Sequence, residues 1–216
     1  MTKIKTCYDL LEESNEAVSS GRWFTAASSL QSVLSILRSQ SSAVDETEIK
    51  ILPAIKKDIV LKKHRLSVLL KERWSSSVTV ALKQNNGTSR HSLAVHAAQD
   101  KQFKEDVQEL VQALYMTETL EDITYPFQQT LKKDFLNLII SRKVQVEMRA
   151  SSFTFSFDAC NQERLDPFGV FENLRSIFTF LADNFAVPLT KADNSETFLE
   201  RMGAQLSAWF CQTVIQ

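Results

Sequence analysis

The chain's only histidines are His64, His91 and His96, and its only cysteines are Cys7, Cys160 and Cys211. A metal centre or a thiol nucleophile would have to be assembled around these side chains. His91 and His96 lie an odd number of residues apart in a stretch that reads as a strand, so they point to opposite faces and cannot share one metal ion there. A thiolate needs its base near in space, not in sequence, so spacing alone leaves a Cys–His pair open. None of the cysteines, however, sits in the Gly-rich or turn context of an exposed nucleophile. Cys7 and Cys211 fall in helical patterns, which favours packing. The carboxylate pairs Glu12-Glu13, Asp45-Glu46 and Glu121-Asp122 are adjacent in sequence and so diverge on a helix instead of converging on a substrate. No glycine-rich cluster is present to cradle a phosphate. No residue is thereby assigned a catalytic, cofactor-binding or metal-ligating role, and no cofactor is expected.

Lys56, Lys57, Lys62, Lys63, Arg65, Lys71 and Arg73 make one stretch basic, which could attract an acidic partner or a membrane surface. These cations spread around a helix instead of forming one stripe, and Asp58 and Glu72 interrupt them, so a solvated face is the better reading. Of the C-terminal aromatic residues, Phe171, Phe178, Trp209 and Phe210 are at core spacing. Phe180 and Phe185 fall partly off that stripe and are candidates for contact with another domain.

The composition narrows the function classes. A formal net charge of −1 over 216 residues gives no electrostatic case for nucleic-acid binding, and 44% hydrophobic residues suffice for a real core. Four glycines and four prolines are too few for an all-β fold with many tight turns or for a disordered chain, so long helices are expected. Cysteines odd in number and far apart suit a reducing compartment. The N-terminus lacks the apolar core of a signal peptide, and no apolar run approaches the roughly 18 residues of a membrane span. A cytosolic or nuclear protein without membrane insertion is expected, in which the Asn86-Gly87-Thr88 sequon goes unused.

The elements follow from periodicity. Asp45 to about Trp74 reads as one long helix, with Asp45 as N-cap and Glu48 completing a capping box. Leu52, Ile55, Ile59, Leu66 and Leu70 form its apolar stripe, while Leu61 and Val68 lie on another face. Pro53 either kinks this helix or marks its true start. Before it, Ile4, Tyr8, Leu11 and Val18 suit one amphipathic helix, and Trp23, Ala26, Ala27, Leu30, Val33, Leu34 and Leu37 a second. Gly21 breaks them into a helical hairpin over 3–38, followed by a polar linker over 39–44. Its Gly-Arg-Trp-x-x-Ala-Ala run has no second copy at the roughly 34-residue period of a tetratricopeptide array.

Beyond Trp74 the period changes to two. Strands are expected near 77–83 and 91–97, flanking Asn86-Gly87, and near 143–149 and 152–157, where Phe153, Phe155 and Phe157 alternate with Ser and Thr. The two hairpins are candidates for one small antiparallel sheet. Between them lie helices carrying Phe103, Val107, Leu110, Val111 and Leu114, and then Phe127, Leu131, Phe135, Leu138 and Ile139, with Pro126 in the first turn of the latter. Asp166-Pro167 starts a helix whose apolar face is Val170, Phe171, Leu174, Ile177, Phe178 and Leu181, ending by Pro188. Phe198, Leu199, Met202, Leu206, Trp209 and Phe210 form a last helix. Its apolar pattern still runs at Gln216, so a longer natural sequence is expected.

Three blocks, in order, carry a resemblance: Leu69-Leu70-Lys71-Glu72-Arg73-Trp74 before a strand, Pro167-Phe168-Gly169-Val170-Phe171-Glu172-Asn173-Leu174-Arg175, and Leu199-Glu200-Arg201-Met202-Gly203 with Leu206. Together they resemble the middle portion of the zeste-white ten family of kinetochore and vesicle-tethering proteins. The resemblance implies an elongated multi-helix bundle of the tethering-complex type, so that with the two small β-hairpins read above the chain is expected to be mainly α. It implies two parts: 1–75, a helical hairpin plus the inner end of a coiled-coil arm, and 76–216, a helical bundle with the β element. It implies a non-enzymatic scaffold in the cytoplasm. Its partners would be Rod and Zwilch at mitotic kinetochores, supporting the spindle checkpoint and dynein recruitment, and tethering-complex subunits at the endoplasmic reticulum receiving Golgi-derived vesicles. Leu61 and Val68 would then be exposed in this chain. The alternatives are a generic helical adaptor and a small cysteine-dependent enzyme.

Overall fold

The computed structural model describes residues 2–41, 51–85, 87–96, 103–159, 166–189, 196–203 and 206. The expected Asp45/Glu48 cap, Cys160, Trp209, Phe210 and Cys211 lie outside them. The described chain is mainly helical with one four-stranded antiparallel sheet. It divides into two compact units, Met1–Arg73 with Glu109–Leu120, and Trp74–Gln108 with Glu121–Gln216.

In the first unit, α1 (Thr2–Ser19) and α2 (Trp23–Ser41) form the expected hairpin, with α2 continuing into the stretch read as linker. Gly21 adopts φ +68°, the left-handed geometry that closes a helix, and the Arg22 N–H reaches the Ala17 carbonyl at 2.8 Å. The face that α1 buries is Cys7, Leu11, Ser14 and Ala17; Tyr8, read as part of that face, is exposed. Ala17, Ala26 and Ala27 have no side-chain bulk to hold the helices apart, and here Ser14 Oγ donates to the Ala26 carbonyl at 3.1 Å. Ser29 Oγ likewise donates to Glu13 Oε2 at 2.8 Å.

Helix α3 (Ile51–Ser77) has Pro53 in its first turn, where a missing N–H leaves no intrahelical bond unmade. Its stripe of Ile55, Ile59, Leu66 and Leu70 is buried as expected. Lys62 Nζ donates to Asn15 Oδ1 at 2.9 Å, and Lys63 pairs with Glu118. Helix α4 (Phe103–Met116) contributes Leu110, Val111, Ala113 and Leu114 to the same core, and Glu109 accepts from the Phe24 N–H at 3.4 Å.

The second unit contains β1 (Val78–Asn85), β2 (Thr88–Val95), β3 (Gln145–Arg149) and β4 (Ser152–Asp158), in the order β1-β2-β4-β3. Both expected hairpins therefore exist and share one sheet. The first is shifted: Asn85 pairs with Thr88 around residues 86 and 87, so β2 starts three residues before the expected position. Gly87 takes φ +87° there, a geometry glycine adopts without steric cost. His91, Leu93, Val95, Phe153, Phe155 and Phe157 share the inner face.

Two expectations are corrected in the helices of this unit. Pro126 is not in a first turn: α5 (Glu121–Leu131) starts five residues earlier, and the ring removes one interior hydrogen bond. A π turn over Lys132–Leu136 follows and leads into α6 (Asn137–Ser141), so that Leu131, Phe135, Leu136 and Ile139 are all buried. The second correction concerns α7 (Pro167–Phe185), which buries Leu174, Ile177, Phe180, Leu181, Asn184 and Phe185. Its core face is turned by roughly 40° from the one expected, taking 100° per residue. Trp74 sits edge-on to Phe127 at 5.6 Å and to Phe198 at 5.9 Å, with Phe185 at 6.1 Å.

Candidate functional site

The residues first considered for chemistry are dispersed by the fold. His91 stacks on Phe155 at 5.0 Å between centroids and 19° between planes, with Phe157 at 5.6 Å and Phe135 edge-on at 6.3 Å. Its Nδ1 has no hydrogen-bond partner. Burial holds the imidazole below its ordinary pKa, while the Asp134 carbonyl and carboxylate pull it the other way. This is a histidine used as a core aromatic. His96 follows β2 on the outside, where its Nε2 lies 2.9 Å from Thr79 Oγ1. Cys7 is buried between α1 and α2, and desolvation pushes its thiol upward, away from the thiolate that nucleophilic chemistry needs. Among the described residues, no group of three or more His, Cys, Asp or Glu gathers closely enough to hold a metal ion. The helix of many cations has one of them on Asn15 and one on Glu118, and Lys62 lies 3.9 Å from Asp58.

A more continuous feature lies on α7. Asp166 caps the helix, accepting from the N–H groups of Phe168 at 3.1 Å and Gly169 at 3.2 Å, and Pro167 supplies the preset φ of the first turn. Beyond the cap, Phe168, Phe171 and Phe178 are 76%, 61% and 39% exposed. At 100° per residue they fall within an arc of roughly 80°, shared with Arg175 and Ala182. Phe180, by contrast, is 1% exposed and touches Phe153 at 6.1 Å. The aromatic residues expected to reach outward are thus core residues, and two of those placed in the core face water. Both faces of α7 are apolar, so its periodicity supports either orientation. What distinguishes them is the ring cluster of Phe153, Phe155 and Phe135, which Phe180 can reach and Phe171 cannot.

A second, smaller exposed apolar feature lies on α3. Leu61 at 49% and Val68 at 42% exposure face solvent opposite the buried Ile59, Leu66 and Leu70, while the exposed Val60 and Leu69 lie on the two flanks of the helix, roughly 180° apart. The exposure of Leu61 and Val68 within this chain agrees with what the resemblance implies for them. Exposed phenylalanines grouped on one helix face can fill pockets on a partner, and aromatic side chains dominate the energetics of such contacts. Among the described residues, no helix is long and apolar enough to cross a membrane. No protein-family model matches the chain, and no significant match to a curated protein is found.

Proposed function

We propose that this chain is a non-enzymatic scaffold of the zeste-white ten kind. It would act in the cytoplasm, at mitotic kinetochores with Rod and Zwilch, and peripherally at the endoplasmic reticulum with vesicle-tethering subunits. The observation that carries the proposal is the exposed row Phe168, Phe171 and Phe178, which falls in and just after the Pro167–Arg175 block on which the resemblance rests. A block with a purely internal role would bury its aromatic residues, whereas a docking block presents them. The exposed pair Leu61 and Val68 on α3, seven residues apart on one face, supports the same reading, since a helix in a longer coiled-coil arm needs apolar positions left over for its neighbour. The cysteine-dependent alternative finds no support in Cys7, whose thiol is buried and shifted by desolvation away from the thiolate form.

The test is retention of named partners. The tagged chain, incubated with mitotic cell extract, is expected to retain Rod and Zwilch, and with interphase extract the tethering subunits of the endoplasmic reticulum. Recovery of neither set by immunoblot overturns the proposal.

A further inference from the structure

The outer face of the sheet carries a feature independent of the scaffold reading. Alternation in the strands places Lys83 and Asn85 of β1, Thr88 and Arg90 of β2 and Ser156 of β4 on that face. The register sets Lys83 directly opposite Arg90, Arg90 opposite Ser156, and Asn85 opposite Thr88. These five residues line a concavity of about 420 Å³. Its lining is an ammonium, a guanidinium, an amide and two hydroxyls, with no carboxylate among them. Lys83 has no ion-pair partner among the described residues, and Arg90 places only Nη2 on Glu147, at 3.3 Å. Like charges set directly across an antiparallel pair destabilise it. Here two cations face each other with no acid between them; of the two acids nearby on the same face, Glu147 is shared with Arg149 at 2.5 Å and Asp158 lies opposite Thr88 at the end of the row.

We infer that this concavity binds a phosphoryl group, with Lys83 and Arg90 supplying charge and Thr88, Ser156 and Asn85 supplying neutral donors. An ammonium and a guanidinium together bring two positive charges, and the amide and two hydroxyls bring further donors, so the set matches a dianion with three free oxygens better than a singly charged carboxylate with two. An anion between Lys83 and Arg90 turns their mutual repulsion into two attractions. The volume lies within the usual range of roughly 300–1,000 Å³ for small-ligand sites, so the phosphoryl group enters with a small organic group attached. That group belongs either to a soluble phosphomonoester or to a lipid headgroup.

The experiment uses the intact chain and the variants Lys83→Gln, Arg90→Gln and the double variant. Lys56→Gln/Lys57→Gln on α3 controls for general basicity. Amide chemical shifts are followed during titration with inorganic phosphate against chloride at matched ionic strength. Vesicles of phosphatidylcholine with a minor fraction of phosphatidylinositol 4-phosphate are tested separately by flotation. The expected result is a saturable phosphate response centred on β1 and β2, weakened about tenfold or more in the double variant by loss of two charged contacts and unchanged in the α3 control. Flotation lost in the double variant identifies the headgroup as the source; no flotation with a retained phosphate response identifies a soluble ligand. A response no larger than that to chloride, or one that survives the double substitution with the sheet's amide spectrum intact, overturns the inference.

Discussion

His91 shows how a single side chain departs from its apparent chemistry. On paper it is one of three possible metal ligands or bases; in the fold it is a ring stacked on Phe155, and its burial favours the neutral form. The folded-state pKa lies below the ordinary value of 6.5, so the unfolded chain takes up the proton first as pH falls. The contribution of this group is fully present above that value and is lost progressively below it. Urea-unfolding midpoints at pH 7.5 and 5.5 are expected to differ in favour of the higher pH, and His91→Phe is expected to reduce that difference. An unchanged difference in the variant would assign the pH dependence to other groups. Cys7 gives a parallel expectation. Its thiol is buried and held protonated, so iodoacetamide labelling at Cys7, read by peptide mass, is expected to be slow in the native protein and fast in urea. Equal rates would place the thiol at the surface.

At the level of elements, much of the fold is legible in local signals. Asn86-Gly87 between alternating runs marks the first hairpin, the Phe153/Phe155/Phe157 alternation marks β4, and Asp166-Pro167 marks the start of α7. What stays hidden depends on long-range packing. The β2–β4 pairing that joins the two hairpins brings Leu93 against Phe153, and no local pattern encodes it. Likewise, Lys83, Arg90 and Ser156 read as ordinary polar strand positions until that pairing aligns them in one row. The capping box closing on Thr197, whose N–H donates to Glu200 Oε2 at 2.7 Å while the Glu200 N–H returns to Thr197 Oγ1 at 3.1 Å, has a readable signature that the hydrophobic pattern of the last helix overshadowed. These hydrogen bonds hold the Glu200 carboxyl below its usual range. For α7, substitution separates its two faces. Phe180→Ala is expected to cost about 3–5 kcal/mol in chemical denaturation and Phe171→Ala less than about 0.5 kcal/mol. Similar costs at the two positions would contradict the orientation of the helix. Asp166→Ala, which removes both cap bonds, is expected to cost about 1 kcal/mol.

For the whole molecule, composition and periodicity suffice for a mainly helical chain with a small antiparallel sheet, because low glycine and proline content and long apolar stripes leave few other folds. They carry much less information about function. Both α3 and α7 are apolar over more of their circumference than one core can cover, and only the folded arrangement separates the buried stripe from the presented one. On the proposed function, the presented stripe of α7 is a docking surface. Its most direct test compares the wild-type chain with Phe168→Ser/Phe171→Ser/Phe178→Ser for retention of Rod and Zwilch from mitotic extract at equal bait concentration. The prediction is a drop of roughly tenfold or more in recovered partner, with the thermal unfolding midpoint unchanged because none of the three rings is in the core. Undiminished recovery by the triple variant, with the wild-type chain retaining both partners, would contradict the claim.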